Sequence, residues 1–367
     1  MFLDKHTLKK GGVINKIPKV VEIMSITIKD IAKELDISFS TVSRALRDDP
    51  QIAEETRKRV KKMAKSMGYR KSSIGSALVT GKNNVLGVIV TDMVRPFNLS
   101  IIGGAEKVAR DNEFNIISCN SRSTLEGEKY ATEVLMSQNV SGIIVASLSG
   151  FKDVDHILVA RDKGVEVAVI NRFINIDGIH TFVGEYLNST ICMMKHLFQE
   201  GHEEIAFVGF DKPLISQPVV ERLAGYGRAM KEAGLKEDLV LRPNLEMNTT
   251  PEMEIEIGWE LTEKILTRKH LPSAILAIND FFALGALRAL YSKRLIVPND
   301  ITVVCCSDVV APYQVPPLTT LREPYHIAGE CAAQFLIERI KGNMLPIGYE
   351  KLDCQLVIRE SCRCSLR

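Results

Sequence analysis

A chain of 367 residues, 46% of them apolar, is long enough to bury two or three hydrophobic cores, which excludes a single small domain. The formal net charge of +2 hides an asymmetry: residues 25–82 carry 13 Lys and Arg against seven Asp and Glu, so only the front of the chain suits a polyanion. The sequence shows neither a run of 18 apolar residues nor a secretory signal, and it predicts a cytosolic protein without a membrane partner.

Three short helices are predicted in the basic region. Apolar residues recur at helical spacing after Thr27, which can cap the first helix, and a break at 36–38 precedes a second helix over 40–46. A third helix over 53–67 ends at Gly68 and closes a small core. Two short helices joined by such a turn form a helix-turn-helix, whose second helix enters the major groove of DNA.

Residues 27–69, TIKDIAKELDISFSTVSRALRDDPQIAEETRKRVKKMAKSMGY, resemble the DNA-binding headpiece of the LacI/GalR family nearly position for position. The resemblance implies a headpiece over residues 25–70 and a hinge over residues 71–83. Family members begin at the position of Met24. Residues 1–24 are therefore expected to be a disordered extension, or not to be translated.

The resemblance assigns the base contacts to three residues on the exposed side of the second helix, Phe39, Ser40 and Arg44. Arg44 can present two donors to a guanine edge, whereas Phe39 offers only apolar contact, for example with a thymine methyl group. Short hydroxyl side chains suit phosphate oxygens, and the resemblance gives this role to Thr27, Ser38, Thr41, Ser43 and Thr56. Helix capping is an alternative role for Ser38 and Thr56.

The hinge of the family becomes helical on operator DNA and inserts a leucine into the minor groove, and Leu78 is the matching residue. This chain departs from the family there, with Lys71 for the usual proline, Ser72 for asparagine and Gly75-Ser76 for Ala-Arg. Glycine costs about 1 kcal/mol of helix stability relative to alanine, so we expect a hinge helix that is harder to form.

From residue 84 the sequence alternates strand-like runs and helical stripes, which indicates parallel sheets with helices on both faces. The pattern restarts at EIAFVGF, residues 204–210, so two similar lobes are expected. Motifs such as Arg95-Pro-Phe97 and Asn279-Asp280 resemble LacI/GalR regulators and sugar-binding periplasmic proteins, in order, to about residue 361.

The predicted fold is therefore an all-α helix-turn-helix headpiece followed by a two-lobed α/β module. The module, residues 84–361, resembles type I periplasmic binding proteins, with two doubly wound parallel sheets, and it would bind the effector and form the dimer. The first lobe is expected over about 84–183 plus 313–343, and the second lobe over about 184–312 plus 344–361.

Several residues that resemble effector-binding positions fall where strands are predicted to end, and open parallel sheets bind ligands there. By the resemblance, Phe97 stacks on the ligand, Arg172 donates paired hydrogen bonds and Asp280 accepts from hydroxyls. Such a set suits a polyhydroxylated, carbohydrate-like effector. Weaker candidates are Tyr226, Ser147 and Gln217. Alternatively, Asp280 caps the next helix and Arg172 forms a structural ion pair.

Carboxylates that the family usually has around the cleft are replaced in this chain. Cys305-Cys306-Ser307 stand for Gly-Phe-Asp, Asn171 for an aspartate and Glu185-Tyr186 for an Asp-Asn pair. This loss predicts either an effector that differs from an ordinary neutral sugar or weak sensing.

Neither a nucleophile elbow nor a zinc-protease or Walker motif is present, and the seven histidines do not cluster. The eight cysteines are scattered through apolar segments, so we expect small core residues and neither a metal site nor a cofactor. The alternatives to a regulator are a solute-binding protein of the transport class and a metabolic enzyme with a borrowed headpiece. A solute-binding protein of the transport class carries an export signal and has no use for a DNA-binding headpiece. The missing signal and the complete headpiece therefore both argue against the first alternative.

The resemblance implies a transcriptional repressor that binds a palindromic operator as a homodimer and responds to a small-molecule effector. Because Gly75 and Ser76 weaken the hinge helix, an effector that helps DNA binding is favoured. That effector would be a corepressor molecule or a phosphorylated partner protein.

Overall fold

The computed structural model describes residues 26–69, 83–146, 153–174, 176–211, 216–243 and 249–362. The expected extension over residues 1–24, the predicted wedge residue Leu78 and the effector candidate Ser147 lie outside the described residues. The chain divides into two compact units, Met1–Val79 and Thr80–Arg367.

Within residues 26–69, the first unit contains three helices, α1 (Ile28–Leu35), α2 (Phe39–Ala45) and α3 (Glu54–Ser66). Thr27 caps α1 through a reciprocal pair of bonds with Asp30, and Asp36 reverses the chain in a left-handed conformation with φ of 51°. Gly68, with φ of 68°, follows α3 in the conformation that glycine adopts at lowest cost. All three predicted helices are confirmed, with ends shifted by one residue.

The three helices enclose one apolar core, which the predicted helical stripes supply. Val42 and Ala45 on the inner face of α2 are fully buried, so the opposite face of this helix is left outside the core. The buried members of the core are Ile31, Ala32, Leu35, Val42, Ala45, Val60 and Ala64.

The described part of the second unit contains two six-stranded sheets, each flanked by helices. The first lobe begins with β1 (Val85–Val90), α4 (Pro96–Asp111), β2 (Asn115–Asn120), α5 (Leu125–Ser137), β3 (Gly142–Ala146), α6 (Asp155–Asp162), β4 (Glu166–Ile170) and β5 (Ile179–Gly184). The chain returns to this lobe in α11 (Tyr325–Ile340) and β11 (Tyr349–Leu352). The strand order of the first sheet is β11-β5-β4-β3-β1-β2.

The second lobe contains the elements between these two passages and a final short strand. They are α7 (Tyr186–Gln199), β6 (Ile205–Phe210), α8 (Gln217–Glu232), β7 (Asp238–Arg242), α9 (Pro251–Leu266), β8 (Ala274–Ala277), α10 (Asp280–Ser292), β9 (Thr302–Cys306), β10 (Thr319–Arg322) and β12 (Gln355–Val357). The second sheet has the order β12-β10-β9-β8-β6-β7, in which only β12 pairs antiparallel among the described strands. Doubly wound lobes of this kind confirm the predicted fold class.

The expected lobe boundaries were wrong at two of the places where the chain crosses from one lobe to the other. Strand β10 was expected in the first lobe, but it pairs with β9 of the second sheet. Strand β11 was expected in the second lobe, but it extends the edge of the first sheet beside β5. These strands are four residues long, so their membership depends on pairing across the sheet and not on a local pattern.

Helices α9 and α10 pack against each other backbone to backbone. A Cβ atom added at Gly258 would lie 2.4 Å from the carbonyl oxygen of Phe282, and one added at Gly285 would lie 2.1 Å from that of Ile255. This close approach requires glycine at both positions, and it fixes the start of each helix beside the carboxyl end of β8.

The cysteines only partly follow the expectation of core residues. The seven within the described ranges are free thiols, of which Cys305, Cys306 and Cys362 are buried while Cys192 is exposed. Among the helices of the described ranges, none combines the length and the apolar character needed to cross a membrane.

Candidate functional site

The first candidate surface is the start of α2, where three hydroxyl side chains meet. The Ser38 hydroxyl accepts from the backbone amide of Thr41 across 3.1 Å, so Ser38 caps α2 as the capping alternative predicts. It also lies 2.8 Å from the hydroxyls of Ser40 and Thr41. Ser38 and Ser40 are exposed, so this cluster can donate hydrogen bonds to a neighbouring phosphate or base.

The two larger base-reading candidates lie on the same exposed helix. Phe39 is 50% exposed and lies outside the apolar core of the headpiece, so its ring is available for apolar contact with DNA. The Arg44 side chain is 52% exposed and makes only weak contacts, 4.0 Å to a carboxylate oxygen of Asp49 and 3.4 Å to the Gln51 amide oxygen. Its guanidinium is therefore available to a guanine edge.

The remaining phosphate candidates differ in how they are engaged. Thr27 is exposed and donates to the Asp30 carboxylate across 2.7 Å, which lowers the pKa of Asp30. Ser43 accepts from the guanidinium of Arg47 across 3.2 Å. The capping alternative for Thr56 is wrong, because Ala53 occupies the N-cap position of α3 and provides no side-chain bond.

Part of the positive charge of α3 stabilises the headpiece itself. Arg57 and Arg59 each donate to a backbone carbonyl across 3.3 Å, those of Asp48 and Leu35. Lys61 donates to the Asp48 carboxylate across 2.5 Å, and this hydrogen bond lowers the pKa of Asp48. The basic composition of this helix therefore overstates the number of cations that are free to meet DNA.

The second candidate site is a cavity of about 100 Å³ between the two lobes of the second unit. It lies where strands of both sheets end, in agreement with the rule for open parallel sheets. The first lobe contributes Thr91, Arg95, Pro96, Phe97, Ser123 and Tyr325, and the second lobe contributes Phe210, Ser216, Pro218, Val219, Arg222, Thr249, Glu254, Asn279, Asp280, Phe281, Ser307 and Val309.

Asp280 lies at the second-lobe wall of the cavity and is 2% exposed. One carboxylate oxygen accepts from the backbone amides of Val309 and Val310 across 2.9 and 2.8 Å. Burial raises the pKa of Asp280 to about 6 despite these donors. The alternative of a helix cap is wrong for this residue, because Asn279 caps α10 by accepting from the Phe282 amide.

The aromatic wall of the cavity belongs to the first lobe. The rings of Phe97 and Tyr325 stack with centroids 5.1 Å apart and planes inclined by 28°. Burial, together with the charge of Glu323, raises the pKa of the Tyr325 hydroxyl well above its usual range. A flat or ring-shaped ligand can pack on this wall while Asp280 accepts hydrogen bonds from its polar edge.

Two arginines also reach the cavity, Arg95, which is partly buried, and Arg222, which is buried. Arg95 donates to Oε1 of Glu254 across 2.9 Å, and Arg222 donates to Glu323 and to the carbonyl oxygen of Ile278, 3.1 Å away. The cavity wall therefore contains the carboxylate of Glu254, which comes from α9 and not from the positions where carboxylates were expected to be lost.

Arg172, a predicted effector ligand, follows β4 but is not among the residues that line this cavity. Its guanidinium instead donates to Oε1 of Glu128 across 3.0 Å, inside the first lobe. The structural ion pair that the sequence left as an alternative is the arrangement seen.

The two weaker effector candidates within the described residues, Tyr226 and Gln217, do not line the cavity either. Tyr226 is fully buried in the core of the second lobe, where its hydroxyl donates to the Ile205 carbonyl and accepts from the Asp238 amide. Gln217 is the first residue of α8 and donates to Glu221. Its neighbours Ser216 and Pro218 line the cavity in its place.

Sequence reasoning missed Arg95, Arg222 and Glu254 as cavity residues. Arg95 begins one of the motifs that carry the family resemblance, so a signal was present for this residue. Glu254 shares a helix face with Ile257 and Leu261, and a carboxylate on an apolar stripe indicates a buried partner.

Comparisons with known proteins find matches for both units of the chain. The family model described as bacterial regulatory proteins, lacI family, matches residues 27–72, and the model described as a periplasmic binding protein-like domain matches residues 194–362. The HTH-type transcriptional regulator RegA of Clostridium saccharobutylicum is 31% identical over 350 residues, which cover 92% of this chain and 99% of RegA.

The HTH-type transcriptional repressor PurR of Pasteurella multocida (strain Pm70) is 30% identical over 346 residues, covering 93% of this chain and 99% of PurR. Among solved structures, the lac repressor dimer bound to operator and the anti-inducer ONPF superposes with a TM-score of 0.78 at 23% identity. That match covers 93% of this chain and 100% of the repressor chain, and it shows the shared fold.

The relatives that match nearly the whole chain are transcriptional regulators and not enzymes, and residues 27–72 and 194–362 each match their own family model. The chain belongs to the lacI family of bacterial regulatory proteins, DNA-binding transcriptional repressors with a ligand-binding sensor domain.

Proposed function

We propose that this chain represses transcription in the cytoplasm by binding a palindromic operator as a homodimer, with an operator affinity set by a small polar effector in the cavity between the lobes. The observation that carries the proposal is the exposed face of α2. Phe39, Ser40 and Arg44 lie outside the core there, beside the hydroxyl cluster at Ser38.

A homodimer is supported by the size of the headpiece. A single α2 presents few base contacts, whereas two copies related by a two-fold axis read two half-sites about one helical turn apart. The lac repressor structure that shares this fold is a dimer bound to operator.

A carbohydrate-like effector is supported by the chemistry of the cavity. The stacked rings of Phe97 and Tyr325 offer an apolar face, and Asp280, Asn279 and Ser123 offer polar groups around it. Ligand sites commonly combine a mostly apolar surface with a few positioned polar groups, and a sugar ring has both kinds of surface.

Selection of bound duplexes from a random DNA library tests the DNA-binding part. The full chain should enrich a palindrome with half-sites about one turn apart, and Arg44→Ala should lose base preference under that side chain. Enrichment of a single, non-repeated half-site would contradict the dimer. Binding without any enrichment would contradict sequence-specific reading.

Calorimetric titration of sugars, sugar phosphates and nucleobases tests the effector part. One class should bind the unaltered chain, and Asp280→Asn should weaken that binding, while Tyr226→Phe serves as a buried control outside the cavity. Binding that Asp280→Asn leaves unchanged would place the effector elsewhere. Binding of nucleobases alone would contradict the carbohydrate-like class.

A further inference from the structure

Arg95 of the first lobe forms an ion pair with the second lobe inside the cavity. Its Nη2 donates to Oε1 of Glu254 across 2.9 Å and also to the backbone carbonyl of Thr249. Only 11% of the Arg95 side chain and 4% of the Glu254 side chain are exposed. Opposite charges from the two lobes thus neutralise each other in a buried place.

The Glu254 carboxylate is held on its second oxygen as well. Oε2 accepts from the side-chain amide of Asn279 across 2.9 Å, so both carboxylate oxygens have a donor. A buried ion pair is favourable only when its geometry is good and its remaining hydrogen-bonding groups are also satisfied. The contacts of Thr249 and Asn279 meet that condition.

The ion pair links two parts of the fold that none of the chain crossings between the lobes joins directly. Arg95 directly precedes α4 and Glu254 lies in the first turn of α9, 159 residues further along the chain. The chain passes between the lobes at residues 184–186, 322–325 and 352–355. Separation of the lobes about those passages would therefore break the Arg95–Glu254 pair.

A second contact accompanies the ion pair. Val309, which Asp280 holds through its backbone amide, belongs to the loop after β9 of the second lobe, yet its side chain packs against the apolar core of the first lobe. The closed arrangement is thus stabilised by apolar burial together with the ion pair.

We propose that Arg95 and Glu254 form a latch that holds the two lobes closed. The latch rests on the proposed function only in its consequence: lobe opening that admits an effector would break this pair, so the pair sets how readily the regulator switches. Closure itself is a property of the second unit and can be measured without DNA.

The distance between the lobes tests the latch directly. Spin-labelled unnatural amino acids at the exposed positions Glu133 on α5 and Lys264 on α9 report that distance by pulsed electron resonance in the full chain. Excess unlabelled chain removes distances between protomers. In the chain with Arg95 and Glu254 unaltered and no ligand added, the distance between the two labels should show one narrow population.

Glu254→Gln should add a second, longer population, because the closed form then buries the Arg95 charge without its counter-charge. Arg95→Lys retains the charge and should retain the single short population. Glu260→Gln is the matched control, since Glu260 lies on the same helix and pairs with Arg242 across 2.5 Å, but within one lobe and at the surface. It should behave like the unaltered chain.

Identical distributions for Glu254→Gln and the unaltered chain would overturn the latch, as would a broad distribution in the unaltered chain. Operator affinity measured on the same samples separates the latch from the proposed function. A longer population accompanied by a change of roughly 5- to 150-fold in operator affinity supports both. A longer population without any change in affinity supports the latch and contradicts its link to DNA binding.

Discussion

The guanidinium of Arg172 donates to Oε1 of Glu128 across 3.0 Å, and the same oxygen lies 2.8 Å from Nε2 of His156. All three side chains are buried in the first lobe. A buried carboxylate needs such partners, because the loss of its hydration is otherwise uncompensated. The arrangement makes Arg172 a counter-charge for Glu128.

Arg172→Gln should therefore destabilise the first lobe, by roughly 3–5 kcal/mol, since it leaves the Glu128 carboxylate without its cation. Hydrogen exchange of the β4 amides in the full chain measures this effect. Adding Glu128→Gln to the same variant should recover much of the loss. A stable Arg172→Gln variant that no longer responds to an effector would show that Arg172 is a ligand residue after all.

Tyr226→Phe should destabilise the second lobe by about 1–3 kcal/mol, because the amide of Asp238 and the carbonyl of Ile205 lose their buried partner. Denaturant unfolding followed by hydrogen exchange of β6 and β7 gives the magnitude. Tyr291→Phe is the control, since that side chain is 84% exposed. An altered effector affinity in Tyr226→Phe, at unchanged stability, would contradict a purely structural role.

The headpiece could be predicted almost completely because its determinants are local. The side chains of Thr27 and Ser38 cap their helices by accepting from the backbone amide three residues later. Asp36 and Gly68 follow the ends of helices in the left-handed conformation. Each of these signals is contained within one turn of chain. The resemblance to a known family added roles for side chains but no new element.

The two-lobed architecture of the sensor was predicted correctly, but the sheet to which its last short strands belong was not. The long buried runs such as β1 and β6 identified parallel sheets, whereas β10 and β11 are only four residues long and could join either sheet by pattern alone. The cavity was harder still. The partner of Arg95 lies 159 residues away, and sequence periodicity carries no information about that pairing.

The buried Asp280 carboxyl should make the stability of the second lobe depend on pH. Its pKa is raised from 3.8 to about 6, so the folded chain binds a proton there between pH 4 and 6 that the unfolded chain does not bind. The cost of burying the charge is therefore fully present above pH 6 and disappears as the pH falls toward 4. Asp280→Asn should be the more stable form near pH 7, by up to roughly 3 kcal/mol, and should equal the unaltered chain near pH 4.

Unfolding free energies of the two forms at pH 4, 5, 6 and 7 measure this difference. If the unaltered chain were instead the more stable form at pH 7 and lost that advantage on acidification, the amides of Val309 and Val310 would stabilise the Asp280 anion more than burial penalises it.

The N-terminus of α3 should be easy to stabilise, because Ala53 occupies its N-cap position without a side-chain bond. Ala53→Ser supplies a hydroxyl that can accept from an otherwise unpaired amide, and we expect a gain of about 0.5–2 kcal/mol in headpiece stability. Slower hydrogen exchange of the α3 amides would confirm it, with Ser38→Ala expected to lose a similar amount at α2. No change in Ala53→Ser would mean that the existing geometry does not admit the cap.

Arg44→Ala should cost on the order of 1–3 kcal/mol of operator binding and relax base preference at one position of each half-site. The physical reason is that Arg44 is the one cation among the three base-reading candidates, and its existing contacts with Asp49 and Gln51 are long and weak. Binding of the selected palindrome and of random duplex, measured side by side, separates the two effects. Lys58→Ala is the matched control, because Lys58 is an exposed cation of the same headpiece that pairs with Glu54 on α3. It should weaken binding to both duplexes alike, if at all, and equal losses on both duplexes in Arg44→Ala would show that Arg44 contacts phosphate and does not read a base.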